Sequence, residues 1–272
     1  MAYVTLKSGQ KMPMIGLGTW QITGDDCTQA VLTGLELGYR HIDTADVYKN
    51  HKDIGNALCE TDIPREELFI TSKVDRFDLN YGDVISVAER ALEELKTEYL
   101  DLFLIHWPNK EIPIENTLAG MVKLQEMGKI RNVGVSNFTI NHIREAERHF
   151  PGLICVNQVE FHPYLYQKAL LEDCIKEKIV LTAYSPLARG GIFKDPELAK
   201  LATKYGRSPA QLVLSWLLDK GIVVIPKASS ASHLKDNLSV LKWEIPQEAV
   251  SVIDSLNRNE RILDPEHGEF DY

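Results

Sequence analysis

The chain has 272 residues, 44% of them hydrophobic, enough to bury a large core in one barrel-sized domain or in two smaller ones. Lys and Arg total 30 against 39 Asp and Glu, and the resulting formal net charge of -9 argues against a nucleic-acid or anionic-membrane partner. The cysteines at 27, 59, 155 and 174 form no C-x-x-C pair, and no run reaches the roughly 18 apolar residues of a membrane span; a cytoplasmic protein with reduced thiols, no metal finger and no export signal is expected.

The stretch Val4 to Pro13 alternates in character and turns at Ser8-Gly9, which predicts a short hairpin ahead of the main fold. Strand-like runs then begin near Ile15, Arg40, Phe69, Leu102, Asn132, Cys155, Val180 and Ile222. Each precedes a helical pattern, as in Thr28 to Leu37, Val84 to Leu95 and Thr139 to Arg148. Start-to-start spacings of 23 to 42 residues give every unit room for a crossover helix, and the longest, before Ile222, has room for two. Nothing in the rhythm marks a linker, so 1–272 is expected to be one domain. Eight β-then-α units admit a closed barrel or an open doubly wound sheet. The open sheet calls for a dinucleotide fingerprint, and Gly16-Leu17-Gly18-Thr19-Trp20-Gln21 lacks its third glycine, which favours an α/β fold of the (β/α)8 TIM-barrel type.

Three strand ends carry chemistry. The run from His41 reaches Asp43, with Tyr48 five residues on; the run from Phe69 reaches Lys73; the run from Leu102 reaches His106. In a parallel barrel these side chains gather on one rim, the face where such folds place their active sites. A lysine beside a phenol stabilises the phenolate, so Tyr48 next to Lys73 is suited to general acid-base work, with Asp43 holding the ammonium and His106 orienting a carbonyl oxygen. Singly, each has an ordinary explanation: a turn cap, a surface charge, a rim aromatic, a core histidine. Four on consecutive rim segments are harder to dismiss. After the eighth strand, Lys227 and the hydroxyls of Ser229, Ser230 and Ser232 precede a helix running toward Val240, the composition of a phosphate site at a helix start.

Across nearly its whole length the sequence resembles the aldo-keto reductases, through Asp43-Thr44-Ala45-x-x-Tyr48, Ser72-Lys73 and Ile105-His106-Trp107-Pro108. The resemblance implies a barrel binding an extended nicotinamide dinucleotide, NADPH and to some extent NADH, and reducing aldehydes and ketones with Tyr48 as general acid. It also implies that Ser136, Asn137 and Gln158 hold the nicotinamide carboxamide, that Tyr184 stacks on the ring, and that Ser185 and Leu187 lie along the pyrophosphate. Lys227, Ser229, Ser230, His233, Asp236 and Asn237 would surround the adenosine end, and Trp20 and Trp107, with Tyr48 and His106, the substrate. The short loops and the tail from Arg261 are most similar to the prokaryotic 2,5-diketogluconate and methylglyoxal reductase branch. Departures occur where members often carry a serine and an arginine after the lysine, here Ala228 and His233, and where Ser-Lys-x-Trp is common, here ending in Asp75. The acid at 75 and the short loop from Trp107 to Pro113 lead us to expect an open pocket for small or hydroxylated carbonyl compounds, in a monomer.

Two other readings use the same residues. His41 and Asp43, at i and i+2 on one strand, could join His106 and His162 in a metal-dependent hydrolase, though a metal set leaves the phenol and lysine unexplained. A nicotinamide-binding barrel without turnover is the second, and the intact tetrad speaks against it.

Overall fold

The computed structural model describes all 272 residues. It opens with the hairpin, β1 (Tyr3–Thr5) antiparallel to β2 (Lys11–Pro13), with Val4 opposite Met12. Eight parallel strands follow: β3 (Leu17–Gly18), β4 (His41–Asp43), β5 (Phe69–Val74), β6 (Leu100–Ile105), β7 (Ile130–Ser136), β8 (Ile154–Glu160), β9 (Val180–Tyr184) and β10 (Val223–Val224), each paired to the next in chain order. The first and last strands also meet. Gly16 N–H donates to the Val224 carbonyl, Val224 N–H to that of Met14 and Gly18 N–H to that of Pro226, which closes the sheet into a barrel.

Crossovers are made by α1 (Gly24–Leu37), α2 (His51–Glu60), α3 (Tyr81–Leu95), α4 (Ile114–Glu126), α5 (Ile140–His149) and α6 (Lys168–Lys176). The long interval before β10 holds the two expected helices, α7 (Pro196–Tyr205) and α8 (Pro209–Asp219); α9 (Ala231–Ser239) and α10 (Gln247–Asp254) follow β10. Their starts are set locally. Thr139 caps α5, Asp195 caps α7 and Ser208 caps α8 by accepting from otherwise unpaired first-turn N–H groups, each cap being worth about 1 kcal/mol.

Period-two alternation sorts each strand onto two faces. Ile42, Ile70, Phe103 and Ile105 point outward into the apolar layer beneath the helices, while Phe69, Leu102, Leu104, Val156 and Val223 form a separate cluster with Leu6 and Met12 of the hairpin. The hairpin therefore plugs the N-terminal end of the barrel, and Gln10 Nε2 pins it there with a 2.7 Å hydrogen bond to buried Asp101. The opposite end stays open.

Candidate active site

The alternation that sends Ile42 and Ile70 outward sends Asp43 and Lys73 inward at the C-terminal ends of β4 and β5. His106 follows β6, and Tyr48 closes the short 3₁₀ turn Asp46–Tyr48 after β4. Lys73 is fully buried, and its Nζ donates to Asp43 Oδ1 at 2.6 Å, to the Thr44 carbonyl at 2.7 Å and to the Tyr48 hydroxyl at 3.5 Å. Three acceptors match its three donors, so nothing of the ammonium is left unpaired. The other carboxylate oxygen of Asp43 accepts from Gln158 Nε2 at 2.7 Å. The His106 ring stands edge-on to Tyr48, centroids 5.7 Å apart. The four residues expected to meet do meet.

Their charge states follow from burial and neighbours. Burial pulls the Lys73 ammonium down, but the Asp43 carboxylate and the Tyr48 phenol outweigh it and hold its pKa above the ordinary value. Burial lifts Tyr48 above the usual phenol range, and the opposing pull of Lys73 does not reverse this. That corrects the expectation of a phenol lowered by its lysine: in the ligand-free protein Tyr48 keeps its proton firmly. Burial, then the positive charge of Lys73, drive His106 well below the usual histidine value, so it is a neutral imidazole; its Nδ1 is buried without a partner.

These groups sit in a cavity of about 1030 Å³ at the open end of the barrel, at the upper limit of the ~300 to 1,000 Å³ typical of small-molecule sites. From Tyr48, His106, Trp20 and Trp107 it runs past Asn137, Gln158 and Tyr184, along Ser185 and Leu187, to Lys227, His233, Asp236 and Asn237. Ser136, Ser229 and Ser230 do not line it: Ser136 donates from Oγ to the Gln158 carbonyl at 2.8 Å, Ser230 caps α9, and Ser229 is exposed nearby. Asp236 is held by Ser208 and Gln211, and the Tyr184 hydroxyl donates to Asn137 Oδ1 at 2.8 Å. Gln21, Asn137, Ser185 and Arg189, four cavity residues that are not glycine, adopt left-handed backbone with φ between 47° and 63°, conformations that persist where surrounding structure enforces them.

The substrate end differs from expectation in two ways. Asp75 is not in the cavity wall, and the pocket is not left open by the short loop after Trp107, because Leu263, Pro265 and His267 of the C-terminal tail border it. The tail is fastened from below. Glu160, the last residue of β8 and wholly buried, accepts from Ile262 N–H at 2.7 Å, Leu263 N–H at 2.8 Å and His162 Nε2 at 2.8 Å. Sequence reasoning missed these residues; an acid at a strand end two positions past Gln158, and so on the same face, was the available signal. The metal reading finds no support in this geometry: His162 is bound to Glu160, His41 Nε2 to Thr71, and no three His, Cys, Asp or Glu side chains are grouped to hold an ion.

The profile of the Aldo/keto reductase family matches residues 14–258. The chain belongs to the aldo/keto reductase family. Among similar proteins, the glyoxal reductase of Bacillus subtilis is 41% identical, with 95% of this chain and 94% of that one covered. The methylglyoxal reductase DkgA of Escherichia coli is 37% identical over 98% and 97% of the two chains. A crystal structure of a Bombyx mori aldo-keto reductase in complex with NADP superposes with a TM-score of 0.90 at 31% identity, covering 97% of this chain and 95% of that one. This aldo/keto reductase is an NADP(H)-dependent oxidoreductase acting on carbonyl compounds.

The far end of the cavity suits the phosphates of that cofactor. Lys227 has no salt-bridge partner, and the N–H groups of Ala231 and Ser232, at the positive end of α9, donate to no acceptor in the chain. A cation and two free donors at a helix start are what an anion requires.

Proposed function

We propose that this enzyme reduces small aldehydes and oxygenated carbonyl compounds, α-oxo aldehydes and sugar-like ketones among them, with Tyr48 delivering the proton. The observation that carries the reading is the contact of Lys73 Nζ with both Asp43 and the Tyr48 hydroxyl at the cavity floor beside His106. The reduced nicotinamide supplies a hydride to the carbonyl carbon when bound. Charge then builds on the carbonyl oxygen, and the chain's residues manage it. Neutral His106 offers an N–H that steers the oxygen toward Tyr48, and the phenol gives up its proton as the alkoxide forms, a step typically worth roughly 10² to 10⁴ in rate. Lys73 stabilises the phenolate left behind, and Asp43 with Gln158 keeps the ammonium aimed at it. Asn137 and Gln158 would hold the carboxamide, with Ser136 bonded behind both, and Tyr184 would stack on the nicotinamide. Ser185 and Leu187 would border the pyrophosphate, with Lys227, Ser229, Ser230, His233, Asp236 and Asn237 around the adenosine end. With His233 in place of arginine, NADPH is preferred over NADH less strongly than where a permanently charged, two-pronged donor is present.

The names of the two bacterial relatives support small dicarbonyl substrates. The same reading has the protein acting as one barrel domain, a monomer in the cytoplasm, and its net charge of -9 supports small molecules rather than nucleic acid as its partners. The test is Tyr48→Phe, followed by cofactor oxidation with propanal and by cofactor binding. Turnover should fall at least a hundredfold with the cofactor dissociation constant within a few-fold of the original. Near-normal turnover would remove Tyr48 from the role.

A further inference from the structure

His267 stands in the substrate end of the cavity without a job in the chemistry so far described. It comes from the tail, far from the barrel in sequence, and is tethered on both sides. The Glu160 carboxylate clamps the tail at Ile262 and Leu263. Beyond it, Glu269 bonds Lys110 N–H at 3.2 Å and His142 Nε2 at 3.4 Å, and the Tyr272 carbonyl accepts from Thr139 Oγ1 at 2.9 Å. Between these moorings the His267 ring stands edge-on to Trp107, centroids 5.2 Å apart, in the cavity wall. His106 borders the same cavity.

Trp20, Val47, Trp107, Leu263 and Pro265 offer carbon surface and two indole N–H groups, and Tyr48 and His106 are assigned to the reacting carbonyl. The polar side chains Gln21 and Arg189 stand on the Trp20 side, Arg189 over the Trp20 ring at 4.9 Å, and His267 on the Trp107 side. Neither ring nitrogen of His267 makes a hydrogen bond within the chain, and neither is sealed from the cavity or solvent, since the buried, unpartnered nitrogens belong to other histidines. Burial first, then Arg76, keep this imidazole's pKa below the usual histidine value, against the pull of Asp75 and Glu269. It is therefore neutral at pH 7, with one N–H to donate and one nitrogen to accept. Such a group beside Trp107, Leu263 and Pro265 discriminates strongly, because a ligand that covers it without pairing leaves a polar atom unsatisfied.

We propose that His267 is a specificity-determining residue that hydrogen-bonds a second oxygen, on the carbon next to the reacting carbonyl, and so selects α-oxo and α-hydroxy carbonyl compounds over plain aldehydes. This rests on the carbonyl reduction set out above and names which part of the substrate the tail reads. With the reacting oxygen between Tyr48 and His106, a second oxygen would turn toward the tail, because Trp107, against which His267 stands, directly follows His106.

The experiment pairs two three-carbon substrates, 2-oxopropanal and propanal, which differ by that second oxygen. Each is assayed with the unmodified enzyme, with His267→Phe, which keeps a ring on Trp107, and with His267→Gln, which keeps a donor. A second readout is quenching of tryptophan fluorescence by hydroxyacetone, reporting binding apart from turnover. We expect His267→Phe to raise KM for 2-oxopropanal and the dissociation constant of hydroxyacetone roughly five- to tenfold, the effect of one lost neutral hydrogen bond, with kcat little changed. Propanal kinetics should stay within twofold, and His267→Gln should recover most of the lost affinity. Equal effects of His267→Phe on both substrates, or none on 2-oxopropanal, would overturn the assignment with carbonyl reduction left standing. Absence of turnover of both 2-oxopropanal and propanal in the unmodified enzyme would instead sink carbonyl reduction and this assignment together.

Discussion

At the scale of single residues, Lys73 is the most constrained group in the site. A wholly buried ammonium is tolerated because Asp43, the Thr44 carbonyl and Tyr48 together replace its water shell. Catalysis and stability are thereby tied to one side chain. Lys73→Met should lower turnover, because the phenolate left after proton transfer loses its counter-charge, and should also cost about 3 to 5 kcal/mol of stability, because Asp43 is left buried with only Gln158 as partner. Denaturant unfolding of the variant measures the second effect independently of the first. Unchanged stability would mean that Gln158 alone satisfies the buried Asp43 carboxylate. Tyr48→Phe gives the contrasting case, since its hydroxyl has a single long contact in the chain and its loss should leave stability nearly intact. The tetrad itself was legible in the sequence, for alternation along a strand and position at its end together fix which side chains reach the rim. The direction of the Tyr48 shift was not legible, because burial outweighs the lysine and burial is a property of the assembled barrel.

At the scale of elements, the tail is the segment whose role depends most on a distant partner. Burial alone would raise the Glu160 pKa, but the bonds from His162, Ile262 and Leu263 hold it below the ordinary carboxylate value. A carboxyl depressed in the folded protein contributes stability above its unfolded pKa of about 4.5 and loses that contribution as pH falls through the lower folded value. Tail anchoring should therefore be complete at neutral pH and fail under acid. Glu160→Gln should mimic acid at pH 7, because a neutral amide gives one carbonyl oxygen where two carboxylate oxygens served, and turns an N–H₂ toward donors. Hydrogen exchange at the Ile262 and Leu263 amides should accelerate tenfold or more in this variant, and KM for carbonyl substrates should rise more than kcat falls. Exchange as slow as in the unmodified protein would show that the tail is held by its other contacts, Trp107 against Phe270 and Thr139 Oγ1 to the Tyr272 carbonyl among them.

For the molecule as a whole, the seam between β3 and β10 decides whether eight strands make a barrel. Both strands are two residues long, and Gly18 lets them approach: a Cβ there would lie 2.6 Å from the Ile225 carbonyl oxygen, a backbone atom that cannot swing away. Gly18→Ala should destabilise by about 1 to 3 kcal/mol through overpacking and, because Gly18, Ile225, Pro226 and Lys227 also border the cavity, should weaken cofactor binding. Thermal unfolding with and without NADP+ separates the two effects. A variant as stable as the original would mean that the seam opens without loss.

What the sequence by itself determined about this protein is what repeats with a local period or sits at a strand end. The eight β/α units, the hairpin, two helices before β10, the meeting of Asp43, Tyr48, Lys73 and His106, and the cation at the start of α9 are all set by neighbours a few residues away. Family motifs extended this reach to Asn137, Gln158, Tyr184, Ser185, Leu187, His233, Asp236 and Asn237, which also line the cavity. Only the tertiary structure decided the rest. The Asp75 carboxylate is left out of the cavity, while Leu263, Pro265 and His267 enter it because Glu160 holds a segment a hundred residues further along the chain. Contacts at such separation depend on how packed elements are spaced and on which carboxylate finds two free N–H groups. No local pattern encodes that pairing, because the chain between the partners can take many paths until the core is formed.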